Sequence, residues 1–179
     1  MATQYFQDYN IDQRDEKASM QYFFNSYLSQ NKSTIQDYFY GINRIKSICL
    51  KCNTVKYYFQ AFNILDFPLK EAKRKAVLRK KKEDEKFVEK NYTLNLEDCF
   101  AHIEQVDHFT GDDQIYCDEC QRNTDTEFQT VLYTAPTILS IVLNRGITNI
   151  DFQENFDFGL DLDIKKYIYI IQSNMKNII

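Results

Sequence analysis

The order of apolar and polar residues predicts a polar start followed by an amphipathic helix. Residues 1–14 are polar, and we expect them to form a disordered segment or linker. From Asp15 to Gln30, apolar residues recur at close to helical spacing, which predicts a helix with one side turned to the core. The residues that make this apolar side are Ala18, Tyr22, Phe23, Phe24, Tyr27 and Leu28.

Later segments are rich in β-branched and aromatic residues, which predicts strands. Residues 42–48 and 55–62 are two such segments, and residues 126–133 alternate apolar with polar side chains. Residues 137–143 are almost continuously apolar, so we expect a central strand that is buried on both faces. Residues 152–158 predict a further strand at an edge.

Two helix starts carry recognisable caps. Ser33 precedes a short helical turn with Gln36 three positions later, which is the spacing of a capping box. Asn95 has the form of an N-cap, and Glu97 and Asp98 would place negative charge near the positive end of the following helix. Together the helices and strands predict an α+β fold.

Charge is unevenly distributed along the chain. Residues 70–90 carry ten Lys/Arg and five Asp/Glu, a net charge of +5, so the remainder of a chain of net charge −4 carries −9. The segment is compatible with a helix, or with a basic patch for nucleic acid or localisation. Because the basic residues 70–82 have no interleaved aromatic residue, we interpret the run as a solvated charged insertion. The acidic remainder argues against nucleic acid as the main partner.

The sequence gives no indication of export or of a membrane span. The first residues lack the charged and then apolar pattern of a signal peptide. The longest apolar run, residues 137–143, is much shorter than the ~18 residues that a transmembrane helix needs. We therefore expect no membrane partner and a cytoplasmic or nuclear location, where thiols stay reduced and metal binding is favoured over disulfides.

Four of the five cysteines form two Cys-x-x-Cys knuckles. Cys49 and Cys52 lie between two predicted strands, and Cys117 and Cys120 form the second knuckle after a gap of 64 residues. Two knuckles supply the four thiolates of a closed structural zinc site. A disulfide pair and buried free thiols are the alternatives. If zinc binds, it joins two distant hairpins, at residues 42–62 and 115–135, and stabilises them together.

The remaining cysteine and the two histidines do not form a catalytic pattern. Cys99 lies among apolar residues of the helix that follows Asn95, so we interpret it as a small buried residue. His102, in the same helix, is expected at the surface or at an edge of the fold. His108 lies nine positions before Cys117, outside knuckle spacing. We therefore expect no catalytic residue among them.

Residues 31–41, 62–69, 96–100, 116–120 and 135–139 carry five motifs. In this order they resemble the catalytic domain of the ubiquitin-specific proteases, which are papain-like cysteine deubiquitinases. In that family an Asn-x-Ser-x-Ile-x-Asp-x-Phe-x-Gly element leads into the first zinc knuckle. The similarity extends over about Ala18 to Lys176, and it departs from the family at Leu143-Asn144-Arg145-Gly146, where most members have Lys/Arg-Arg-Phe. The matching segments are Asn31–Gly41, Phe62–Leu69, Leu96–Phe100, Tyr116–Cys120 and Ala135–Leu139.

The resemblance implies that residues 15–179 form part of a papain-like domain. The hairpins 42–62 and 115–135 would be its zinc-binding fingers, residues 70–90 a charged insertion, and residues 126–170 strands of its palm. The family's catalytic cysteine lies in an Asn-x-x-Asn-x-Cys-(Tyr/Phe) box and its histidine in a Gly-His-Tyr segment. The sequence contains neither, so it lacks the thiolate and base that thiol catalysis requires.

Three functions follow as hypotheses. The chain is a fragment of a deubiquitinase that, as a full domain, cleaves the bond after the carboxyl terminus of ubiquitin. Alternatively, it is a non-catalytic module that binds ubiquitin or a ubiquitinated protein. A zinc-dependent nucleic-acid binder that uses residues 70–90 is the third and least favoured hypothesis.

Overall fold

The structure, a computed structural model that describes residues 12–28, 30–146 and 155–169, confirms a mixed α+β fold. The helices are α1 (Glu16–Phe23), α2 (Thr34–Phe39), α3 (Leu69–Glu83) and α4 (Leu96–Ile103). The strands are β1 (Gly41–Cys49), β2 (Val55–Phe62), β3 (Leu65–Pro68), β4 (Leu94–Asn95), β5 (Val106–Phe109), β6 (Ile115–Cys117), β7 (Arg122–Thr124), β8 (Thr126–Thr134), β9 (Ile141–Asn144) and β10 (Phe156–Asp157).

The main sheet has four antiparallel strands in the order β2-β1-β8-β5. The predicted hairpin 42–62 is confirmed as β1 and β2. The predicted hairpin 115–135 consists of two parts, because β6 and β7 form a small hairpin of their own and β8 continues into the main sheet. The first position of β1, Gly41, has no room for a side chain. An added Cβ would lie 2.4 Å from the ring of Phe62 and 2.7 Å from the Thr134 carbonyl oxygen.

Helix α1 packs against the main sheet through aromatic residues. The Asp15 side chain caps the helix by accepting hydrogen bonds from the amides of Lys17 and Ala18, and a π-helical turn, Phe24–Leu28, continues it. Phe23 and Phe24 contact the sheet as predicted. The buried residues between the helix and the sheet are Met20, Ile42 and Tyr133. Met20 lies on α1 but was not among the residues predicted for its apolar side.

Part of the predicted linker is ordered. Residues 1–11 lie outside the described part of the chain, but residues 12–14 lie beside β2. The Gln13 carbonyl oxygen accepts a hydrogen bond of 2.9 Å from the Tyr57 amide. Residues 12–14 are thus in contact with the edge of β2, which supplies the backbone donor for Gln13.

The larger core lies between α3, α4 and the short strands β3, β4 and β9. Phe67, Leu69 and Phe100 are among its fully buried side chains. The interpretation of residues 70–90 as a solvated insertion is wrong for α3, since Ala72 and Ala76 lie on one side of the helix and are buried in this core. Ala72 lies three positions after Leu69 and Ala76 lies four positions after Ala72, so these apolar residues share one side of the helix and the charged residues occupy the other sides.

The two predicted helix caps form to different extents. Asn95 and Asp98 make a reciprocal capping box at the start of α4. Ser33 Oγ accepts a hydrogen bond of 3.2 Å from the Gln36 amide, but Gln36 Oε1 is buried with no partner among the described residues. The N-cap of α2 is therefore confirmed, and the reciprocal bond expected from Gln36 is not observed in the described structure.

The prediction of a central strand at residues 137–143 is wrong. Only Ile141–Asn144 is a strand, and among the described strands it pairs with β3 alone, in parallel. Its residues alternate between half-buried and exposed, and Val142 is 43% exposed. The residues on one face, Val142 and Asn144, are exposed, so the strand is not buried on both faces although its composition is apolar.

The predicted edge strand is confirmed only in part. Residues 152–154 lie outside the described structure, and β10 comprises two residues that pair in parallel with β4. Beyond it, residues 158–164 are irregular and Lys165–Tyr167 form a 3-10 turn, so the strands expected up to residue 170 end early. None of the described helices is long and apolar enough to cross a membrane.

Candidate metal centre

The four knuckle cysteines meet at the tips of two hairpins. The turn from β1 to β2 carries Cys49 and Cys52, and the turn from β6 to β7 carries Cys117 and Cys120. Strand β8 places them together, because it follows β7 directly and pairs with β1 down to the register Cys49–Thr126. The Leu50 amide also donates a hydrogen bond of 2.9 Å to the Asp125 carbonyl. The sheet therefore brings the two turns together through backbone pairing.

The sulfur atoms have the spacing of a tetrahedral metal site. Cys49 Sγ lies 3.9 Å from Cys120 Sγ, and Cys52 Sγ lies 3.6 Å from Cys117 Sγ. All four sulfurs lie within 4.8 Å of one another. A zinc ion at ~2.3 Å from each of four sulfurs would set them ~3.8 Å apart. A disulfide would need ~2.05 Å, so the four thiols are free and arranged as ligands.

Both knuckles have the same backbone conformation after the second cysteine. The residue after the second cysteine is left-handed in each turn, with φ of 59° at Asn53 and 55° at Gln121. The Asn53 amide donates a hydrogen bond of 2.9 Å to the Cys49 carbonyl, which closes the first turn. Left-handed residues of this kind reverse the chain after the second ligand, so each pair of thiols faces the same point.

The thiols have unequal proton affinities. Burial opposes ionisation of Cys49, but hydrogen bonding from Thr124 and from Cys52 outweighs it and lowers the pKa of Cys49 to about 7. Burial and the neighbouring thiols raise the pKa of Cys120 to about 12. Four thiolates so close together repel one another, so full deprotonation requires a cation among them.

Polar residues around the cluster fix the two turns in place. Thr124 Oγ1 lies 3.2 Å from Cys49 Sγ, and Thr54 Oγ1 lies 3.1 Å from Cys52 Sγ. The half-buried ammonium of Lys56, on β2, forms an ion pair with Asp118 in the second knuckle. Each of these contacts involves a knuckle ligand or a residue between two ligands. They resemble the outer contacts that orient ligands in metal sites.

A second ion pair connects the start of the chain to the second knuckle. Arg14 Nη1 lies 3.3 Å from Glu119 Oε1, and Arg14 Nε lies 2.8 Å from Asp12 Oδ1. Both pairs are exposed, so each contributes little to stability. No local pattern indicates this contact, since Arg14 lies in a polar segment 105 positions before its partner.

Cys99 and the two histidines lie away from the four-cysteine cluster. Cys99 is fully buried in the larger core, and burial raises the pKa of its thiol to about 12, so it is a structural residue as expected. His102 is half-buried, and its Nδ1 has no partner among the described residues; the expectation of a surface or edge position underestimated its burial. Burial lowers the pKa of His102. His108 is exposed and lies 3.3 Å from Glu127.

The arrangement is suited to a structural ion and leaves no open ligand position. Four sulfurs complete a tetrahedron, whereas a catalytic zinc keeps one position for water or substrate. Of the residues predicted as ligands, the structure brings together Cys49, Cys52, Cys117 and Cys120 without exception. The chain matches none of the protein-family models with which it was compared.

Proposed function

We propose that Cys49, Cys52, Cys117 and Cys120 hold one structural zinc ion. The observation that supports this is the pair of sulfur distances, 3.6 and 3.9 Å, between thiols from different hairpins. Zinc is the metal most often bound by four thiolates in a closed tetrahedron. The chain itself supplies the turns, the threonine hydroxyls and the ion pair that orient the ligands.

We further propose that the chain is a fragment of a ubiquitin-specific protease domain that binds ubiquitin. Support comes from the ordered motifs of the sequence and from the positions of the knuckles, the first at the tip of the β1–β2 hairpin of the main antiparallel sheet and the second at the tip of the separate β6–β7 hairpin beside it. Such a sheet offers an extended surface that a folded protein like ubiquitin could contact. In the full domain of that family, this part would grip ubiquitin while other segments cleave the bond.

The chain by itself should lack catalytic activity. Four of its five cysteines form the cluster, and Cys99 is buried with a raised pKa. A nucleophilic cysteine needs an accessible thiolate with a base beside it. A non-catalytic ubiquitin-binding module therefore remains the alternative for the chain as a separate protein.

Nucleic-acid binding is less well supported. The cations of α3 are largely compensated by carboxylates of the protein, as in the pairs Arg79–Asp98 at 2.7 Å and Lys81–Glu89 at 2.8 Å. A phosphate backbone would have to compete with these carboxylates for the same cations. A salt titration tests this function directly, since phosphate contacts make affinity fall steeply as salt is raised.

Two assays on one preparation test the proposal. Titration of isotopically labelled ubiquitin with the zinc-loaded chain, followed by NMR, should shift a contiguous set of ubiquitin resonances. Affinity should be weak, because an incomplete interface lacks some of its central anchors. A fluorogenic ubiquitin reporter should show no thiol-dependent hydrolysis above buffer.

Two cysteine variants test whether ubiquitin binding depends on the zinc site. Cys52→Ser should lose both the metal and the ubiquitin shifts, because the ends of β1 and β2 are no longer joined to the second hairpin. Cys99→Ala, which removes a cysteine outside the cluster, should retain both. An unchanged ubiquitin spectrum with the zinc-loaded chain would refute ubiquitin binding, and turnover abolished by alkylation would refute the absence of catalysis.

A further inference from the structure

The outward side of α3 carries a straight row of exposed residues. Lys70, Arg74, Leu78 and Lys82 follow one another at intervals of four positions, which places them on one side of the helix. All four are exposed, and Leu78 is 48% exposed. We call this row the α3 stripe. It lies on the side of the helix away from the buried residues Leu69, Ala72 and Ala76.

The two ends of the α3 stripe present positive charge that no described residue compensates by an ion pair. Arg74 is bound to Glu71 through two hydrogen bonds, of 2.6 and 2.9 Å. Lys70 and Lys82, by contrast, have no ion pair within the described part of the chain. The stripe therefore offers one exposed leucine between two lysines that are available to bind carboxylates.

A loop elsewhere on the protein has the complementary composition. We call residues 157–161, which follow the first residue of β10, the acidic loop. Phe158 is 66% exposed and Leu160 is fully exposed, while Asp157 and Asp161 on either side are exposed carboxylates without an ion pair among the described residues. The loop is fixed to the core from both sides, since Phe156 and Leu162 pack against the larger cluster.

We propose that the α3 stripe binds the acidic loop of a second copy of this chain. Charge complementarity favours this occupant, because two lysines around a leucine face two aspartates around two apolar residues. The sizes are also compatible. Lys70 and Lys82 are ~18 Å apart along the helix. The loop bends at Leu160, so Asp157 and Asp161 are at most ~14 Å apart, and the long lysine side chains can lean towards each other to reach them. The contact is head-to-tail, since the two surfaces differ.

A polypeptide fits the stripe better than a nucleic acid does. The stripe contains no aromatic residue on which a base could stack, and its central position is an aliphatic side chain. Glu71, adjacent to the stripe and bonded to Arg74, would repel phosphates. An acidic loop with apolar side chains satisfies both the charged and the apolar parts of the surface.

Charge reversal on each surface tests the contact. The stripe variant is Lys70→Glu with Lys82→Glu, and the loop variant is Asp157→Lys with Asp161→Lys. Sedimentation velocity of the zinc-loaded wild type, from micromolar to millimolar concentration, should show weak association that decreases as salt is added. Each variant alone should associate at least ~10-fold more weakly. A mixture of the two variants should associate again, because each reversed surface then meets an opposite charge.

The controls distinguish this contact from general charge effects and from misfolding. Lys17→Glu with Lys32→Glu makes the same change in net charge at exposed lysines outside α3, and it should associate as the wild type does. Equal unfolding temperatures would confirm that all variants fold.

A monomeric wild type throughout the series, or a mixture that stays monomeric, overturns the proposal. Binding of a DNA duplex that the stripe variant loses, with the protein monomeric, overturns it in favour of nucleic acid. The test leaves zinc and ubiquitin binding untouched, because every variant keeps the four knuckle cysteines.

Discussion

Cys52 Sγ lies 3.6 Å from Cys117 Sγ, although the two residues are 65 positions apart in the chain. Strand pairing between β1 and β8 and a backbone hydrogen bond from Leu50 to Asp125 bring the two turns this close. As thiolates the four sulfurs would repel one another, and a cation between them would remove this repulsion. An ion bound there would therefore stabilise the ends of both hairpins.

Loss of either knuckle should remove the metal. We expect one zinc per chain for the wild type, measured by native mass spectrometry after purification without chelator. Cys52→Ser and Cys117→Ser should each bind none, and hydrogen exchange should increase at the knuckle ends of β1, β2 and β7, since binding and folding of such sites are coupled. Cys99→Ala should keep one zinc. A wild type without stoichiometric zinc would contradict the proposed site.

The five thiols should react with an alkylating agent in a fixed order. In the zinc-loaded protein at neutral pH we expect no rapid modification, because four thiols bind metal and Cys99 is buried with its pKa raised to about 12. Adding a chelator should expose four thiols, and adding denaturant should expose the fifth. Mass spectrometry counts the modified sites, and rapid labelling of Cys99 in the native protein would show that its position is wrong.

Cys99 should also make stability fall at alkaline pH. Burial raises its pKa from the usual value of 9.0 to about 12, so above pH 9 the unfolded chain releases this proton while the folded chain retains it. The unfolded state then binds fewer protons, and the free energy of unfolding decreases as pH rises from 9 towards 12. Urea unfolding should show a shallower decrease for Cys99→Ala. Equal slopes would mean that the thiol is already ionised in the folded protein.

Asp98 should be the most sensitive polar residue of the larger core. Its buried carboxylate accepts hydrogen bonds from Arg79 Nη2 at 2.7 Å, from the Tyr92 hydroxyl and from the Asn95 amide. Asp98→Ala leaves these donors without an acceptor and should cost about 3 kcal/mol of unfolding free energy. Glu97→Ala, one position earlier, removes only an exposed pair with Lys166 and should cost less than about 0.5 kcal/mol. Similar costs for both variants, measured by urea unfolding, would contradict the buried network.

The contact between Arg44 and Tyr169 should show measurable coupling. The guanidinium carbon of the buried Arg44 lies 3.8 Å from the centre of the Tyr169 ring, and Arg44 also pairs with Glu16 at 2.9 Å. A double-mutant cycle of Arg44→Met and Tyr169→Leu should give about 1 kcal/mol of coupling, because one partner is desolvated. Tyr169→Phe keeps the ring and should lose less than half of it. A coupling near zero would show that the ring contributes nothing to holding Arg44.

Local sequence signals were sufficient for the elements that depend on nearby residues. Asn95 is the N-cap that was predicted, and the structure adds a reciprocal bond with Asp98, since both partners lie within one turn. In the first hairpin β2 has its predicted bounds and β1 extends one residue further at each end, since β-formers on both sides of a knuckle leave few alternatives. The same signals failed at residues 137–143, where apolar composition indicated a central strand but only Ile141–Asn144 forms one.

The sequence by itself identified the four cysteines that cluster in the structure, because Cys-x-x-Cys spacing places each pair of thiols within a single turn. It could not determine that residues 70–90 contain a core helix. The burial of Ala72 and Ala76 depends on α4 and on β3, which the chain supplies from other segments. Tertiary structure alone also decided that Arg44 is buried between Glu16 and Tyr169, from opposite ends of the described chain. Contacts of this range depend on how the whole chain packs, and no local pattern of apolar and polar residues encodes them.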